Sequence, residues 1–451
     1  MGAACALLLG VSAAPGAEAA PAAWSQPALL SSCPAAGAPL VVFPSDSPFH
    51  GTGPGAIVWS NSPACPGGER THLMALSEGD VPGRRGLPRS ASGRAFVLRG
   101  PLVAGGGPFG QIVIAGSPAA RPGKAQLIQG PASGPFSAAA IAPATAPLAL
   151  SSAYLGDVAL AAGSPGSAGA IGVSVERHLA HRFNPRIGVR APGGGAVRAL
   201  TVALDYRSDA VAVWEQAGTL YARDLPASGA PRAIQRLGRA GADVHVVALR
   251  SDDERAIVAW SDERGGLSSV YVDLSAPGVR FGAPTLLERF ADPEGLAPPA
   301  ASPRLVRLRS ESVMMAWAGA AEGHWVLRTG AVDLLGVRAL TTIAASRSGS
   351  GDALLAALAP APDGSALALW TEPAAGPQGR PDLTRQALMA ARGIDMYPGL
   401  TRFSAAEQVA PAGVLGAPTV AFDPSSGRAL AVWGSVAGGL EYALRAAPPG
   451  P

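Results

Sequence analysis

Residues 210–214, AVAVW, decide the fold, because closely related segments return along the whole chain. The other segments that end in tryptophan are AIVW (56–59), AIVAW (256–260), VMMAW (313–317), ALALW (366–370) and ALAVW (429–433). Two copies without the tryptophan are QIVIA (111–115) and VALAA (158–162). Valine, isoleucine, leucine and alanine fill both sides of each segment, which predicts a strand buried on both faces.

Three further strands accompany each apolar segment. The preceding strand is joined to it by a short turn, as in TVALDYRSDAVAVW (201–214) and TVAFDPSSGRALAVW (419–433), and this arrangement predicts a β-hairpin. The third strands are LYARDL (220–225), VYVDL (270–274), HWVLRTG (324–330) and LEYALRA (440–446). The more polar fourth strands are RAIQRL (232–237), PTLLERF (284–290), RALTTIA (338–344) and AAEQVA (405–410). The fall in hydrophobicity predicts that the first two strands lie inside and the fourth at the rim.

The spacing of these units indicates a β-propeller. The segments end at residues 59, 115, 162, 214, 260, 317, 370 and 433, at intervals of 46 to 63 residues. Four short strands per interval of about this length are typical of a propeller blade. The count favours an all-β fold of eight blades, within residues 39–447; seven blades and one insertion is the alternative. The last unit lacks a fourth strand, so residues 24–31 are predicted to close the ring beside residues 440–446.

Composition limits the function classes. The chain has 451 residues with 48% hydrophobic residues, 58 glycines and 43 prolines, which fits a turn-rich globular domain. Its formal net charge is only +3 and is not arranged in blocks, so nucleic acid binding is not expected. No stretch is long and apolar enough to predict a membrane span in the mature chain, and a monomer is expected. No cofactor motif is found.

The N-terminus indicates export. An apolar run at residues 6–14 precedes Ala17-Glu18-Ala19, so residues 1–19 are predicted to be a signal peptide and residues 20–451 the propeller domain. The expected location is therefore secreted or in the cell envelope; a disordered alanine-rich tail is the alternative. Cys33 and Cys65 could form a disulfide in an oxidising compartment or remain as two free thiols.

The repeat pattern resembles that of exported bacterial β-propellers, broadly the sialidase-like and related repeat families. This resemblance implies a propeller fold and a ligand face near the central channel. The chain departs from the sialidase Asp-box and from the Trp-Asp dipeptide of WD repeats: its segments continue as Trp-Glu, Trp-Ser, Trp-Ala, Trp-Thr and Trp-Gly. The resemblance therefore concerns the repeat and does not specify a function.

Charged residues in the loops between second and third strands are the candidate ligand-binding residues. They are Asp262, Glu263, Arg264, Glu69, Arg70, Glu322 and His324. A pair of carboxylates there could act as acid and base in a hydrolase. Solvated loop charges are the plainer interpretation.

Other patterns are rejected as sites. Arg207, Arg250 and Arg309 follow successive first strands, but that position puts them on the face away from the expected ligand site. His178 and His181 lack a third metal ligand nearby, so no metal site is predicted. The repeated tryptophans are assigned to packing between blades rather than to sugar stacking. The sequence thus favours a non-catalytic binding or scaffold propeller that engages a protein or glycan partner. The alternative is a glycan-processing hydrolase or lyase.

Overall fold

The computed structural model describes most of the chain. The described residues are 24–44, 53–77, 82–107, 110–121, 123–143, 145–153, 157–163, 170–177, 182–183, 187–190, 194–251, 254–276, 278–291, 302–308, 312–321, 324–333, 336–345, 354–375, 381–396 and 400–447. The predicted signal peptide lies outside these residues. The described part of the chain contains no helix that could span a membrane.

The described strands form eight separate antiparallel sheets, which are the eight predicted blades. Blade 1 contains β2 Leu40–Val42, β3 Ala56–Ser60, β4 Thr71–Leu76 and β5 Pro82–Gly86, and blade 2 contains β6 Leu98–Gly106, β7 Gln111–Pro118, β8 Lys124–Pro131 and β9 Ser137–Pro143. Blade 3 contains β10 Thr145–Ser152, β11 Val158–Gly163, β12 Ala170–Arg177, β13 Arg182–Phe183 and β14 Ile187–Arg190. Blade 4 contains β15 Val197–Leu204, β16 Ala210–Gln216, β17 Thr219–Leu225 and β18 Gln235–Arg239.

Blades 5 to 8 follow in chain order. Blade 5 contains β19 Ala242–Arg250, β20 Ala256–Arg264, β21 Leu267–Leu274 and β22 Thr285–Ala291, and blade 6 contains β23 Arg304–Arg307, β24 Val313–Ala321, β25 His324–Asp333 and β26 Gly336–Ala345. Blade 7 contains β27 Leu354–Pro360, β28 Ala366–Ala375, β29 Pro381–Met396, β30 Leu400–Phe403 and β31 Glu407–Ala410. Blade 8 contains β32 Val414–Phe422, β33 Ala429–Ser435, β34 Gly439–Arg445 and, from the N-terminus, β1 Ala28–Ser31.

The eight sheets close into a ring. The first strand of each blade contacts the first strands of both neighbours, in the order β2, β6, β10, β15, β19, β23, β27, β32 and back to β2. Each sheet is apolar on both sides, so it remains buried only when a neighbouring sheet covers each of them. The protein is therefore an eight-bladed β-propeller, as the repeat spacing predicted; the seven-blade alternative is wrong.

The N-terminal strand completes blade 8, as predicted. In β1, Ala28 pairs with Tyr442 and Leu29 with Glu441 of β34. The Leu30 side chain is buried in a cluster that joins blades 8 and 1. The first and last described segments are thereby hydrogen-bonded to each other, which leaves no incomplete blade at the junction.

Removing residues through Ser31 should destabilise the whole ring, because blade 8 would lose its outer strand. Within that strand, Leu30→Ala should cost about 2–5 kcal/mol, as expected for truncating a buried leucine. Leu29 is 64% exposed, so Leu29→Ala should change the stability by less than about 0.5 kcal/mol and serves as the matched control. Urea unfolding of the three variants would measure these differences. Equal midpoints for the Leu30 and Leu29 variants would contradict closure by this strand.

The tryptophans of the repeat pack between blades, as predicted. Trp59, Trp214, Trp260, Trp317, Trp370 and Trp433 are all at most 1% exposed. Trp214 lies in a cluster with side chains of β11 and β12 from blade 3, and Trp260 lies in one with side chains of β16 and β17 from blade 4. Each indole thus fills the space against the preceding sheet.

Several indole N–H groups have a polar partner two residues further along the strand. Trp59 donates to Asn61 Oδ1 at 3.0 Å, and Trp370 donates to Glu372 Oε2 at 3.3 Å. In blade 6 a glycine stands at that position, and Trp317 donates instead to Glu288 Oε2 of blade 5 at 2.7 Å. These bonds allow a polar indole nitrogen to be buried without the cost of an unmade hydrogen bond.

The polar outer strands differ from the predicted ones. In blade 7, β29 runs from Pro381 to Met396 and pairs with both β30 and β31, whereas residues 405–410 were predicted to be the fourth strand by themselves. Blade 3 likewise has β13 and β14 beside β12. Outer strands have only one covered edge and are not apolar on both faces, so their sequences carry a weaker periodic signal.

The antiparallel order gives the propeller two distinct faces. We call the four strands of a blade A to D in chain order. The A–B and C–D connections lie on one face, the A–B face, and the B–C turns and the links between blades lie on the other, the B–C face. The candidate residues in the B–C turns therefore share a face, while the ends of the A strands lie opposite.

Candidate functional site

A cleft lies between blades 1 and 2 on the B–C face and has a volume of about 700 Å³. Its walls come from the β3–β4 turn, the link from β5 to β6 and the β7–β8 turn. The lining residues are Gly67, Gly68, Glu69, Arg70, Leu87, Arg94, Ala95, Phe96, Val97, Arg99, Pro118, Ala119, Ala120, Arg121, Gln126 and Ala138. Clefts of this volume accommodate small ligands or short segments of larger ones.

Hydrogen bonds between the two blades fix the base of the cleft. Thr71 Oγ1 donates to the Leu98 carbonyl at 2.7 Å, and the Leu98 N–H donates to Thr71 Oγ1 at 3.1 Å. The Gly100 N–H donates to Glu69 Oε1 at 2.7 Å. Because Arg70 precedes Thr71 and Arg99 follows Leu98, these bonds bring two arginines 29 positions apart to one cleft.

A disulfide supports one wall of the cleft. Cys33 follows the closing strand β1, Cys65 lies in the β3–β4 turn, and the two are bonded with their Cα atoms 6.1 Å apart. The turn continues through Gly67 and Gly68, both at positive φ, which glycine adopts without steric cost. The disulfide thus ties the wall that carries Glu69 and Arg70 to the closure of the ring.

The charge of the cleft comes almost entirely from arginine. Arg70, Arg94, Arg99 and Arg121 line it together with one acid, Glu69. All four guanidinium groups belong to exposed residues, and none forms an ion pair or side-chain hydrogen bond with another described residue. The positive charge extends to the adjacent strand: burial, and then the charges of Arg85 and Arg70, lower the pKa of His72 to about 4.

The predicted site residues are distributed over two places. Glu69 and Arg70 belong to the β3–β4 turn and line the cleft. Asp262, Glu263 and Arg264 lie in blade 5 and are absent from its lining. Glu322 lies outside the described residues. His324 begins β25, and its side chain also lies outside the described part.

Asp262 and its neighbours belong to a strand rather than to a loop tip. β20 extends through Arg264, so only Gly265 and Gly266 form the turn that was expected to span residues 261–268. Asp262 is 1% exposed, and its Oδ2 accepts from Arg264 Nη2 at 2.6 Å and from the Gly241 N–H at 3.0 Å. These bonds hold the blade 5 hairpin against the link from blade 4.

On the A–B face, Arg250 is the centre of a buried ion cluster. Its guanidinium contacts Asp205 Oδ2 at 2.9 Å and Asp209 Oδ2 at 3.4 Å, and it also pairs with Asp224. Burial works to lower the pKa of Arg250, but the neighbouring carboxylates outweigh it and raise the pKa. The rejection of Arg207, Arg250 and Arg309 as a substrate-binding triad agrees with this geometry, although Arg309 lies outside the described residues.

Asp273 lies on the third strand of blade 5, as Asp224 does in blade 4, but it has no ion-pair partner among the described residues. The two positions are not equivalent: Asp224 pairs with Val211, three residues before Trp214, and Asp273 pairs with Val258, two residues before Trp260. The Asp273 side chain is buried, and its Oδ2 has no hydrogen-bond partner among the described residues. Burial raises the pKa of Asp273 to about 7, while the backbone N–H groups of Gly282 and Leu274 oppose the shift.

Asp273→Asn should make the protein more stable at pH 8 and leave it nearly unchanged at pH 4. The folded-state pKa of Asp273 is raised above the unfolded value, so folding takes up a proton between about pH 4 and 7. Stability is therefore lost as the pH rises through that window, by roughly 1.4 kcal/mol per unit of pKa shift. The amide cannot ionise and removes this penalty.

Urea unfolding at pH 4 and pH 8 would measure the effect. Asp205→Asn is the contrasting comparison, because it removes a buried carboxylate that pairs with the Arg250 guanidinium, and it should destabilise at pH 8. If Asp273→Asn did not increase the free energy of unfolding at pH 8, the Asp273 carboxyl would not be protonated near neutral pH in the folded protein.

The described lining of the cleft contains one carboxyl group, that of Glu69. Glycoside hydrolysis uses two carboxyl groups about 5–10 Å apart. The Glu69 carboxylate is already engaged by the Gly100 N–H. Within the described residues, no group of three or more His, Cys, Asp or Glu is placed to hold a metal ion.

A second cavity, on the A–B face, has a volume of about 600 Å³ and differs in character. Its lining includes Phe43, Pro360 and Phe422, and the described lining residues carry no charge. Specific recognition requires a few polar groups that fix the orientation of a ligand. The cleft between blades 1 and 2 supplies such groups and this cavity does not.

Comparison with known proteins gives no family. No protein-family model matches the chain, and no curated protein matches it. Among solved structures, the β-propeller domain of the trilobed protease from Pyrococcus furiosus is 9% identical, with a TM-score of 0.39, over 87% of this chain and 97% of that chain. The fucose-specific lectin from Aleuria aurantia is 9% identical, with a TM-score of 0.34, over 66% of this chain and 92% of that chain.

An α-L-arabinofuranosidase from Fusarium graminearum is 10% identical, with a TM-score of 0.31, over 55% of this chain and 92% of that chain. These neighbours comprise enzymes and a lectin, so they favour neither class of function. At such identities and TM-scores, the fold assignment rests on the strand pairing and ring contacts of this chain itself.

Proposed function

We propose that this protein is a non-catalytic extracytoplasmic binding module, which holds part of a glycan or protein partner in the cleft between blades 1 and 2. The observation that carries the proposal is the composition of the cleft. It combines a cavity of about 700 Å³, exposed cationic groups and some apolar surface with one carboxylate among the described lining residues, which is already hydrogen-bonded. This set can recognise a ligand but lacks the acid–base pair that a hydrolase needs.

Two features support a location outside the cytoplasm. The N-terminal sequence has the apolar run and small-residue cleavage pattern of a signal peptide. The Cys33–Cys65 disulfide braces the cleft, and such bonds persist in oxidising compartments.

A panel of immobilised polysaccharides and peptides, probed with the full chain, tests the proposal. The same incubations should be assayed for released reducing ends and for unsaturated products. We expect retention on at least one ligand without product formation. Product formation from a retained polysaccharide would instead establish the glycan-processing alternative.

Filling the cleft provides the site-specific control. Ala120 is an exposed lining residue, so Ala120→Trp should abolish retention while leaving the unfolding transition unchanged. Ala405 is an exposed alanine in blade 7, and Ala405→Trp should retain binding. Equal retention by both tryptophan variants would show that the cleft is not the binding site.

A further inference from the structure

The cleft concentrates the charge of the whole protein. Four arginines against one glutamate give its lining a formal charge of +3, which equals the formal net charge of the entire chain. Elsewhere the charges balance and the net charge is low. The imbalance therefore belongs to one concave site, where low-dielectric walls increase the attraction for anions.

Several arginines in blades 4 to 8 have carboxylate partners, which the arginines of the cleft lack. The pairs are Arg198–Glu215, Arg232–Asp224, Arg250–Asp205, Arg264–Asp262, Arg328–Glu288, Arg392–Asp363 and Arg445–Glu407. The four cleft arginines have no such partner among the described residues. Like charges gathered in a cavity repel each other, so an incoming anion relieves an unfavourable arrangement.

Resting on the function proposed above, we infer that the cleft binds an acidic polysaccharide through the carboxylate or sulfate groups of consecutive sugars. The guanidinium fork matches oxyanions of this type and can donate two parallel hydrogen bonds to each. Several arginines in one cleft suit a ligand that repeats its negative charge along a chain.

The lining favours a sugar chain over other polyanions. Phe96 and Leu87, with the alanines around them, provide apolar surface for the C–H faces of sugar rings. Non-specific binding of single-stranded nucleic acid uses successive aromatic platforms, whereas the described part of the lining contains one aromatic residue, Phe96. Sugar acids carry their charges on rigid rings, so binding them orders fewer rotatable bonds than binding glutamate side chains.

Glu69 gives the inference a test with an opposite sign. Its carboxylate lies in the same cleft and is held by the Gly100 N–H, and a glutamine oxygen can accept the same bond. Glu69→Gln should therefore preserve the wall of the cleft and remove the one negative charge of its described lining. Affinity for an acidic polysaccharide should rise by roughly two- to fivefold, an effect that structural damage would not produce.

Binding of the full chain to polygalacturonate, dextran sulfate and neutral dextran, measured at low and high salt, tests the inference. We expect binding to one or both acidic polymers, weakening with salt, and none to dextran. Arg99→Gln and Arg121→Gln should each weaken it by about tenfold or more. Arg402→Gln, at an exposed arginine in blade 7, is the matched control and should have no effect. The preferred polymer identifies the anion as carboxylate or sulfate.

Three results would overturn it. In the first, dextran binds as tightly as the acidic polymers, Ala120→Trp blocks binding and the arginine variants leave the affinity unchanged. The protein would then still be a binding module, but its ligand would not be an acidic polysaccharide. In the second, poly-L-glutamate or duplex DNA binds as tightly as the acidic polysaccharides, and the same variants weaken its binding. The site would then recognise polyanions in general, and the assignment to a polysaccharide would be wrong. In the third, the protein retains no ligand, or Ala120→Trp does not affect retention. The proposed function, ligand binding in this cleft, would then itself be wrong.

Discussion

Arg250→Met should lower the free energy of unfolding by about 3–5 kcal/mol, the cost typical of removing one partner from a buried ion pair. The Arg250 side chain is 2% exposed, and those of Asp205 and Asp224 are 0% and 1% exposed. Methionine fills a similar volume, so the main loss is the counter-charge to carboxylates that cannot reach water. Asp224 keeps a contact with Arg232 at 2.9 Å, which compensates only in part.

The cluster also connects three blades, so its loss should reduce cooperativity between them. The carboxylates of Asp205 and Asp224 belong to blade 4 and Arg250 to blade 5, while the Arg250 carbonyl accepts from Arg307 Nη2 of blade 6 at 2.7 Å. Urea unfolding at pH 7 would measure the change in stability. Hydrogen exchange of blades 4 and 5 would show whether they open earlier.

A surface pair on the same face is the matched control. Arg207 contacts Glu254 of the next blade at 3.2 Å, but the two side chains are 48% and 45% exposed. Arg207→Met should therefore leave the urea midpoint nearly unchanged. Combining Arg250→Met with Asp205→Asn should recover part of the loss, since the neutral amide no longer needs the cation. An Arg250→Met variant as stable as the parent would show that the cluster does not hold the blades.

Trp214→Ala should cost about 3–5 kcal/mol, as expected for truncating a large buried aromatic side chain. Trp214 is fully buried, its ring stacks on Tyr221 with centroids 5.7 Å apart, and its Nε1 donates to Gln216 Oε1 at 3.3 Å. The same core cluster contains Ile171 and Val173 of blade 3. The cavity left by the indole would therefore separate two blades as well as weaken one.

Trp214→Phe provides a graded comparison. It keeps an aromatic ring between the blades and loses the indole N–H, so it should cost clearly less than the alanine variant. Denaturant unfolding followed by tyrosine and tryptophan fluorescence would compare the two. An unchanged midpoint for Trp214→Ala would show that this tryptophan does not pack the core, and would reopen a role in ligand stacking.

The apolar inner strands could be predicted from the sequence, and the polar outer ones only in part. Segments such as residues 210–214 are apolar on both faces wherever they occur, so their local composition already specifies burial. Residues 400–410 hold two short polar strands beside β29, and their pairing depends on a partner strand rather than on periodicity. Asp262 was placed in a solvated loop because the extension of β20 beyond Trp260 depends on a two-glycine turn and on bonds to Gly241.

Among the residues that line the cleft, only Glu69 and Arg70 were candidates from the sequence. Arg94, Arg99 and Arg121 were missed, because they are spread over the β5–β6 link, the start of β6 and the β7–β8 turn, and no local motif joins them. The strand order did contain information about these residues. All three lie in, or directly beside, a link between blades or a B–C turn, and the alternation of strand direction places all such connections on one face. Aligning these connections and counting arginines without nearby acids would have indicated blades 1 and 2.

The sequence by itself determined the ring, since sheets apolar on both sides can exclude water only by covering one another around a closed circle. The tertiary structure alone decided where the charge gathers. Radial packing brings residues 70, 94, 99 and 121 to one cleft, and hydrogen bonds between Thr71 and Leu98 fix that approach. Distance across a blade interface is set by packing in three dimensions, and no spacing along the chain encodes it.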